Sequence, residues 1–206
     1  LSILIKKAVS SLFKKDSEIK LLLNSYEIDD LKPKKNYFKS LTRTIIYQQL
    51  SGKAAQTISD RFISLYPSND YPLPQDVLKT NHDLLRSVGI SNAKAHYIKN
   101  IAEAFINGTV DHENLDQLSD TEIIDQLISI KGVGPWTIQM FLMFTLNRLD
   151  IFPTGDLGVQ KGFKIYFKLK ELPSPAEMIL RAEVWRPYRT IMSIYFWKVA
   201  DGPFEW

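Results

Sequence analysis

Two glycines separated by one residue, Gly132 and Gly134, stand between two segments with helical periodicity. Glycine at such positions permits positive φ angles and lets another molecule approach the backbone closely. The amides of this turn, followed by the beginning of a helix, would suit a phosphate group. Its carbonyl oxygens could hold a monovalent cation. A lone Gly-x-Gly is a weak motif, and a plain corner between two helices is the alternative interpretation.

A carboxylate at Asp156 follows Thr154 and Gly155 in a loop that precedes a predicted helix. A fixed carboxylate can stabilise positive charge on a reacting group and can orient or deprotonate a water molecule. The same position suits a helix N-cap, which is a common role of Asp and is favoured by the residues alone. The two roles are compatible because a cap fixes the side chain.

The elements that must position these residues are predicted to be helices, because apolar residues recur near a spacing of 3.6 along most of the chain. Ser91 is placed to cap a helix over 92–107. Ser119 and Glu122 form a capping-box pattern, and Pro135 suits the first position of a helix. Strand-type alternation is scarce, so we predict an all-α protein. Loops are predicted at 67–74, 151–158 and 172–175.

The composition excludes several classes of protein. The 206 residues suffice for one domain or two small ones, and 45% hydrophobic with 24% charged residues argues against disorder. The longest apolar run, 140–144, is too short to span a membrane, and no basic-then-apolar segment with a small-residue cleavage site appears in the sequence, so secretion is not expected. Without cysteine there are no disulfides, thiolate zinc sites, cysteine nucleophiles or cysteine-ligated iron–sulfur clusters. This composition fits an intracellular protein.

The net charge of +3 is unevenly distributed. Residues 1–59 contain 11 Lys and Arg against 5 Asp and Glu, whereas residues 60–206 contain 15 against 18. A solvated face is the ordinary interpretation of such an excess, and a footprint for a polyanion is the functional one. The excess basic residues are Lys6, Lys7, Lys14, Lys15, Lys32, Lys34, Lys35 and Lys39.

Five motifs in a fixed order, within about residues 37–200, resemble the helix-hairpin-helix DNA glycosylases and, most specifically, the 3-methyladenine DNA glycosylase II family in its compact form. Together they form a far more specific signal than any one of them. The motifs are 45–51 (IIYQQLS), 88–97 (VGISNAKAHY), 130–137 (IKGVGPWT), 152–158 (FPTGDLG) and 185–189 (WRPYR), the last followed by Trp197 one helix further on.

The resemblance implies two helical lobes with a cleft between them and Asp156, the catalytic carboxylate, at the cleft. One lobe would combine residues 1–40 with 153–206. The other would comprise residues 41–152 and contain the helix-hairpin-helix, the two lobes forming one catalytic unit.

The resemblance also implies which residues contact DNA. One side chain, Gln49 or Leu50, would fill the gap that a flipped nucleotide leaves in the duplex, although Leu50 could instead belong to the core. Arg189 would contact phosphate, with a surface ion pair as the alternative. Carbonyls of Ile130 and Val133 would hold Na⁺ or K⁺, and no other cofactor is implied. The predicted DNA-binding residues are Gln48, Gln49, Leu50, Ser51, Lys131, Gly132, Val133, Gly134, Thr137 and Arg189.

The flipped base would be received by Trp136, Trp197, Tyr47 and Met140. Alkylation at N3 of adenine or N7 of guanine makes the base cationic, which favours stacking on aromatic rings. Core packing is the alternative for the tryptophans. Members of the superfamily that also cut the strand have a lysine where this chain has Trp136, and that lysine forms a Schiff base. Trp136 cannot do so, which predicts a monofunctional enzyme.

The predicted function is therefore hydrolysis of the N-glycosidic bond of alkylated purines in duplex DNA, by a monomer that does not bind membranes. The alternatives are a glycosylase for another base lesion and a non-catalytic DNA-binding module. The compartment would be the cytoplasm (nucleoid) in a bacterium or the nucleus in a eukaryote.

Overall fold

The computed structural model describes residues 3–67 and 70–201. Every regular element in these ranges is helical, which confirms the predicted all-α class. None of the helices described there combines the length and the apolar character needed to cross a membrane. The chain divides into two compact units: unit 1 comprises Leu1–Pro33 and Asn147–Trp206, and unit 2 comprises Lys34–Leu146. These boundaries fall a few residues before those expected from the sequence.

Unit 2 is built around a long central helix that packs on three others. The described helices of unit 2 are α3 (Tyr37–Tyr47), α4 (Gly52–Ile63), α5 (Pro74–Lys79), α6 (His82–Ser87), α7 (Asn92–Ile106), α8 (Asp120–Ile128) and α9 (Pro135–Phe144). Helix α7 packs against α3, α5 and α6, and α3 also packs against α4 and α9. Leu41, Ile45 and Ile98 are fully buried at the α3–α7 contact side of this core.

The predicted caps of unit 2 are confirmed. Ser91 Oγ accepts a hydrogen bond from the amide of Lys94 and begins α7. Ser119 and Glu122 form the complete capping box of α8. Pro135 occupies the first turn of α9. The predicted loop at 67–74 ends where α5 begins, and residues 68 and 69 lie outside the described part of the chain.

Unit 1 joins the N-terminal helices to the C-terminal ones. Its described elements are α1 (Ile3–Lys15), α2 (Lys20–Ser25), α10 (Leu157–Tyr166), α11 (Pro175–Ala182), a short 3₁₀ helix (Glu183–Trp185) and α12 (Arg189–Asp201). The loop predicted at 151–158 is two residues shorter, because α10 already begins at Leu157. Helices α10 and α12 cross closely: a Cβ on Gly162 would lie 1.8 Å from the carbonyl oxygen of Phe196.

A buried carboxylate joins the two segments of unit 1. Asp16 is 7% exposed and accepts hydrogen bonds from Trp185 Nε1 at 2.8 Å and from Arg181 Nη2 at 2.5 Å. Burial by itself raises the pKa of Asp16, but these two hydrogen bonds, with one from the amide of Glu18, outweigh it and hold the pKa below its usual range. The ionised carboxylate therefore stabilises the fold.

We expect Asp16→Asn to lower the free energy of unfolding at pH 7 by about 2 kcal/mol, because hydrogen bonds to a charged group are lost. The folded-state pKa of Asp16 is lower than the unfolded one. Its contribution is thus complete above about pH 4 and disappears as the pH falls through the folded-state pKa. Urea unfolding between pH 7 and pH 2.5 should show the acid-dependent loss in the native protein and a flatter profile in the variant. Asp83→Asn, at an exposed carboxylate, is the matched control.

Candidate functional site

The hairpin loop, residues 129–134, connects α8 to α9 and is anchored by two buried side chains. Ile130 and Val133 are 5% and 4% exposed, and the amide of Val133 donates to the carbonyl of Ile130 at 2.9 Å. Gly132 has a φ of +105°, and a Cβ there would lie 2.1 Å from the ring of Tyr97 on α7. Glycine is therefore required at 132 by backbone conformation and by the close approach of Tyr97.

Gly134 differs from Gly132. Its φ is −101°, and a Cβ there would meet no atom within 4 Å. The protein itself thus gives no steric reason for glycine at 134, and the space beside it is available to a ligand. The amide of Val133 is used within the loop, so the amides at the beginning of α9 are the ones that could bind an anion, and the helix dipole favours negative charge there. Lys131 is exposed on the same loop, and its carbonyl accepts from Asn100 Nδ2 at 2.9 Å.

The carbonyls predicted to hold a monovalent cation, those of Ile130 and Val133, lie at the same loop. The Ile130 oxygen accepts one hydrogen bond. A carbonyl oxygen has two lone pairs, so one remains for a cation. Among residues 3–67 and 70–201, no group of three His, Asp or Glu side chains is arranged to bind a metal ion.

We expect Gly134→Asp to weaken binding to every duplex, damaged or not, by about tenfold, or about 1.4 kcal/mol, because it places a carboxylate where a phosphate would bind. The open space around Gly134 predicts that the fold tolerates the change. Fluorescence anisotropy with undamaged and lesion-containing duplexes measures the effect. Gln117→Asp introduces the same charge at an exposed loop position. Unchanged affinity in Gly134→Asp would contradict the assignment of the hairpin loop to phosphate binding.

A second loop, residues 48–51, connects α3 to α4 and is called the wedge loop here. Gln49 has a left-handed backbone with φ +58°, which is uncommon for a residue other than glycine. Gln49 and Leu50 are both exposed, Leu50 at 40%, so the interpretation of Leu50 as a core residue is wrong. Ser51 caps α4 by accepting from the amide of Ala54. The two predicted wedge residues therefore lie at the exposed tip of the loop.

Contacts at the base of the wedge loop link it to two other helices. Gln48 Nε2 donates to Thr137 Oγ1 on α9 at 2.9 Å, and Thr137 is 1% exposed. Lys94 on α7 donates from Nζ to the carbonyls of Ile46 at 2.9 Å and Gln48 at 2.7 Å. These contacts thus hold the wedge loop next to the first turn of α9 within unit 2.

The residues predicted to receive the base within unit 2 differ in exposure. Trp136 is half-buried in the first turn of α9, and Met140 is 2% exposed in the same helix. Tyr47 is half-buried, the guanidinium of Arg43 lies 4.2 Å from its ring centroid, and its hydroxyl bonds to Arg43 and Gln56. Arg43 therefore covers one face of Tyr47, and the roles of all three residues in receiving a base stay predictions.

In unit 1, Asp156 is half-buried and its Oδ1 atom accepts two hydrogen bonds. Oδ1 accepts from the amide of Val159 at 2.9 Å, which makes Asp156 the N-cap of α10. The same oxygen accepts from Trp197 Nε1 at 2.7 Å. Asp156 therefore has the predicted capping role, and two donors fix the orientation of its carboxylate.

The indole of Trp197 reaches Asp156 because Gly158 has no side chain. A Cβ on Gly158 would lie 2.6 Å from Trp197 Cδ1. Trp197 is 2% exposed, and its polar edge points to the carboxylate. Its predicted role as a stacking surface stays a prediction, whereas its contact with Asp156 makes it a positioning residue for that carboxylate.

Arg189 is engaged with a carboxylate of its own unit. Its Nε and Nη2 atoms donate to the two oxygens of Asp150 at 2.7 and 3.0 Å, and its side chain is 12% exposed. Arg186 also pairs with Asp150, at 2.6 Å. The 185–189 motif thus builds the beginning of α12 through buried Trp185 and these ion pairs, which matches the ion-pair interpretation of Arg189.

The basic excess near the N-terminus is shared between the two units. Lys6, Lys7, Lys14 and Lys15 belong to α1, whereas Lys34, Lys35 and Lys39 belong to unit 2. Lys35 pairs with Asp116 at 2.8 Å. Burial, followed by the positive charges of Arg43 and Lys39, lowers the pKa of Lys34.

Sequence reasoning gave no role to three residues of α7 that organise the two loops. Lys94 binds the end of α3, Tyr97 packs under Gly132, and Asn100 binds the carbonyl of Lys131. Their spacing of three places them on one side of the helix, which is the signal that could have identified them as a group.

Comparison with known proteins gives a consistent result. The family model described as HhH-GPD superfamily base excision DNA repair protein matches residues 42–187. DNA-3-methyladenine glycosylase 1 of Schizosaccharomyces pombe is 34% identical over 180 residues, which cover 87% of this chain and 79% of that protein.

Solved structures agree with the family model. The Schizosaccharomyces pombe 3-methyladenine DNA glycosylase in complex with abasic DNA superposes with a TM-score of 0.86 at 33% identity, over 93% of this chain and 95% of that one. A DNA-3-methyladenine glycosidase from Bacillus halodurans gives a TM-score of 0.81 at 33% identity, over 94% and 89% of the two chains.

Proposed function

Because the chain belongs to the HhH-GPD superfamily of base excision DNA repair proteins, we propose that it excises alkylated purines from duplex DNA by hydrolysing the N-glycosidic bond. The first substrate is 3-methyladenine and the second is 7-methylguanine. The observation that carries the proposal is the carboxylate of Asp156, which two donors hold in one orientation within the 152–158 motif. Relatives named DNA-3-methyladenine glycosylase support the choice of lesion.

Excision breaks the bond between C1′ of the sugar and the nitrogen of the base. The electron pair of that bond goes to the cationic base, which leaves as a neutral molecule, and positive charge develops on the sugar. The carboxylate of Asp156 stabilises that charge. Water then adds at C1′ and loses a proton to the carboxylate, which leaves an abasic site.

The base must leave the stack before this reaction can occur. Gln49 or Leu50 of the wedge loop fills the gap, and the hairpin loop binds the phosphate backbone. Trp136 offers an aromatic face to the cationic base. A Na⁺ or K⁺ ion held by the carbonyls of Ile130 and Val133 would add a positive charge facing a phosphate.

The enzyme is proposed to act as a monomer and to lack strand-cleaving activity, since Trp136 has no amine with which to form a Schiff base. A DNA repair enzyme works where DNA is, and therefore inside the cell. We place it in the nucleoid of a bacterium or the nucleus of a eukaryote.

Base release from randomly methylated duplex DNA tests the proposal. Chromatography should detect free 3-methyladenine and 7-methylguanine, and gel analysis should show abasic sites without strand breaks. Borohydride should trap no covalent complex. If no methylated base is released, a panel of deaminated and oxidised lesions decides between another glycosylase and a DNA-binding module.

A further inference from the structure

The wedge loop has a conformation that it does not maintain through its own packing. Gln49 is left-handed at φ +58°, which costs energy for a residue with a side chain. Leu50 is 40% exposed, so it is not anchored in the core. The amide of Leu50 bonds to the carbonyl of Tyr47, the last residue of α3, at 3.3 Å. The residues that fix this loop must therefore lie outside it.

The main external contact is made by Lys94. The last carbonyls of a helix have no partner inside the helix, and Lys94 Nζ binds two oxygens at the end of α3, those of Ile46 and Gln48. Such bonds are strong because the donor is charged. Burial lowers the pKa of this half-buried lysine. Its backbone is fixed as well, since its amide donates to the cap residue Ser91.

A second contact acts on the same residue of the loop. Gln48 uses its carbonyl for Lys94 and its side-chain amide for Thr137 on α9. Gln48 is thus held from two helices directly before the left-handed residue Gln49. The tip of the loop, Gln49 and Leu50, is left exposed by this arrangement.

We propose that Lys94 is a positioning residue for base flipping. Before DNA binds, its ammonium group already fixes the wedge loop in the conformation that enters DNA. This inference rests on the proposed function. Lys94 acts through the loop, so it governs the flipping step and leaves the affinity for undamaged DNA unchanged. A lysine that instead contacted phosphate directly would affect affinity on every duplex.

Helix α7 offers a matched control in Lys99. Its Nζ donates to the carbonyls of Leu78 and Thr80 at the end of α5, the latter at 2.6 Å. Lys94→Met and Lys99→Met therefore each remove a lysine of α7 whose ammonium group binds two carbonyls. Only Lys94→Met affects the wedge loop. Thr137→Val, nearly isosteric, removes the second contact to Gln48.

The first measurement uses a duplex with a tetrahydrofuran abasic analogue next to 2-aminopurine, whose fluorescence rises when the base loses its stacking. We expect native protein and Lys99→Met to produce the rise, and Lys94→Met and Thr137→Val to lose most of it. Anisotropy on undamaged duplex should give the same Kd for the native protein, Lys94→Met and Lys99→Met within about twofold. Comparable thermal unfolding midpoints for Lys94→Met and Lys99→Met establish that both are folded.

The second measurement is single-turnover release of 7-methylguanine. The rate constant should fall by about tenfold to a hundredfold in Lys94→Met and stay native in Lys99→Met. An undiminished fluorescence rise in Lys94→Met overturns the proposal, as does a rise absent from the native protein or a weaker Kd on undamaged duplex. A native protein that produces the rise but releases no base from any lesion would contradict the proposed function and leave the role of Lys94 standing.

Discussion

We expect Asp156→Asn to lose nearly all base release while the fold and the affinity for DNA stay unchanged. The asparagine oxygen can still accept from the amide of Val159 and from Trp197 Nε1, so the cap and the side-chain orientation are retained. Only the negative charge is lost. We expect the single-turnover rate to fall by at least about a hundredfold, the range in which acid–base and electrostatic groups act.

Asp156→Ala separates the two roles of this residue. It removes the cap together with the charge, so the free energy of unfolding should fall by about a further 1 kcal/mol relative to Asp156→Asn. Urea unfolding of both variants measures this difference. Base release at the native rate by Asp156→Asn would mean that the carboxylate is only a cap and that the reaction does not depend on its charge.

Among glycine-to-alanine substitutions in the described part of the chain, Gly162→Ala should lower the free energy of unfolding the most. Alanine normally stabilises a helix relative to glycine by about 1 kcal/mol. Here the added Cβ would lie 1.8 Å from the backbone oxygen of Phe196, and backbone cannot rotate away as a side chain can. We expect the free energy of unfolding to fall by about 3 kcal/mol or more.

The same change should impair catalysis, because Trp197 follows Phe196 directly and would be displaced from Asp156. Denaturant unfolding and single-turnover release below the melting temperature measure the two effects. Gly155→Ala, in the same unit and with open space around its Cβ, should alter stability by less than about 0.5 kcal/mol. Native stability in Gly162→Ala would show that the α10–α12 crossing can open at little cost.

Local features were predictable from the sequence because their causes are local. Ser91, Ser119 and Pro135 begin helices through bonds and φ restrictions that span three or four residues. Asp156 was predictable both as a cap and as a carboxylate fixed by that cap. The tight turn at Gly132 followed from the spacing of two glycines, although its need for glycine depends on the distant ring of Tyr97.

Partners far apart in the chain were not predictable, since nothing in a single sequence pairs them. Trp185 bonds to Asp16, which is 169 residues away in the chain, and Lys94 bonds to Gln48, which is 46 residues away. Trp197 illustrates the limit well. An aromatic residue on a helix is equally compatible with stacking on a ligand and with packing, and only the structure shows its indole bonded to Asp156.

The division of the chain also sets an order of assembly. Unit 2 is one uninterrupted stretch, Lys34–Leu146, and leaves the ribosome with all of its own helices before the rest of unit 1 has been made. Helix α1 packs against the 3₁₀ helix and α12, so it cannot make these contacts until the C-terminal segment has been synthesised. A growing chain thus acquires its wedge and hairpin loops well before Trp197 can join Asp156.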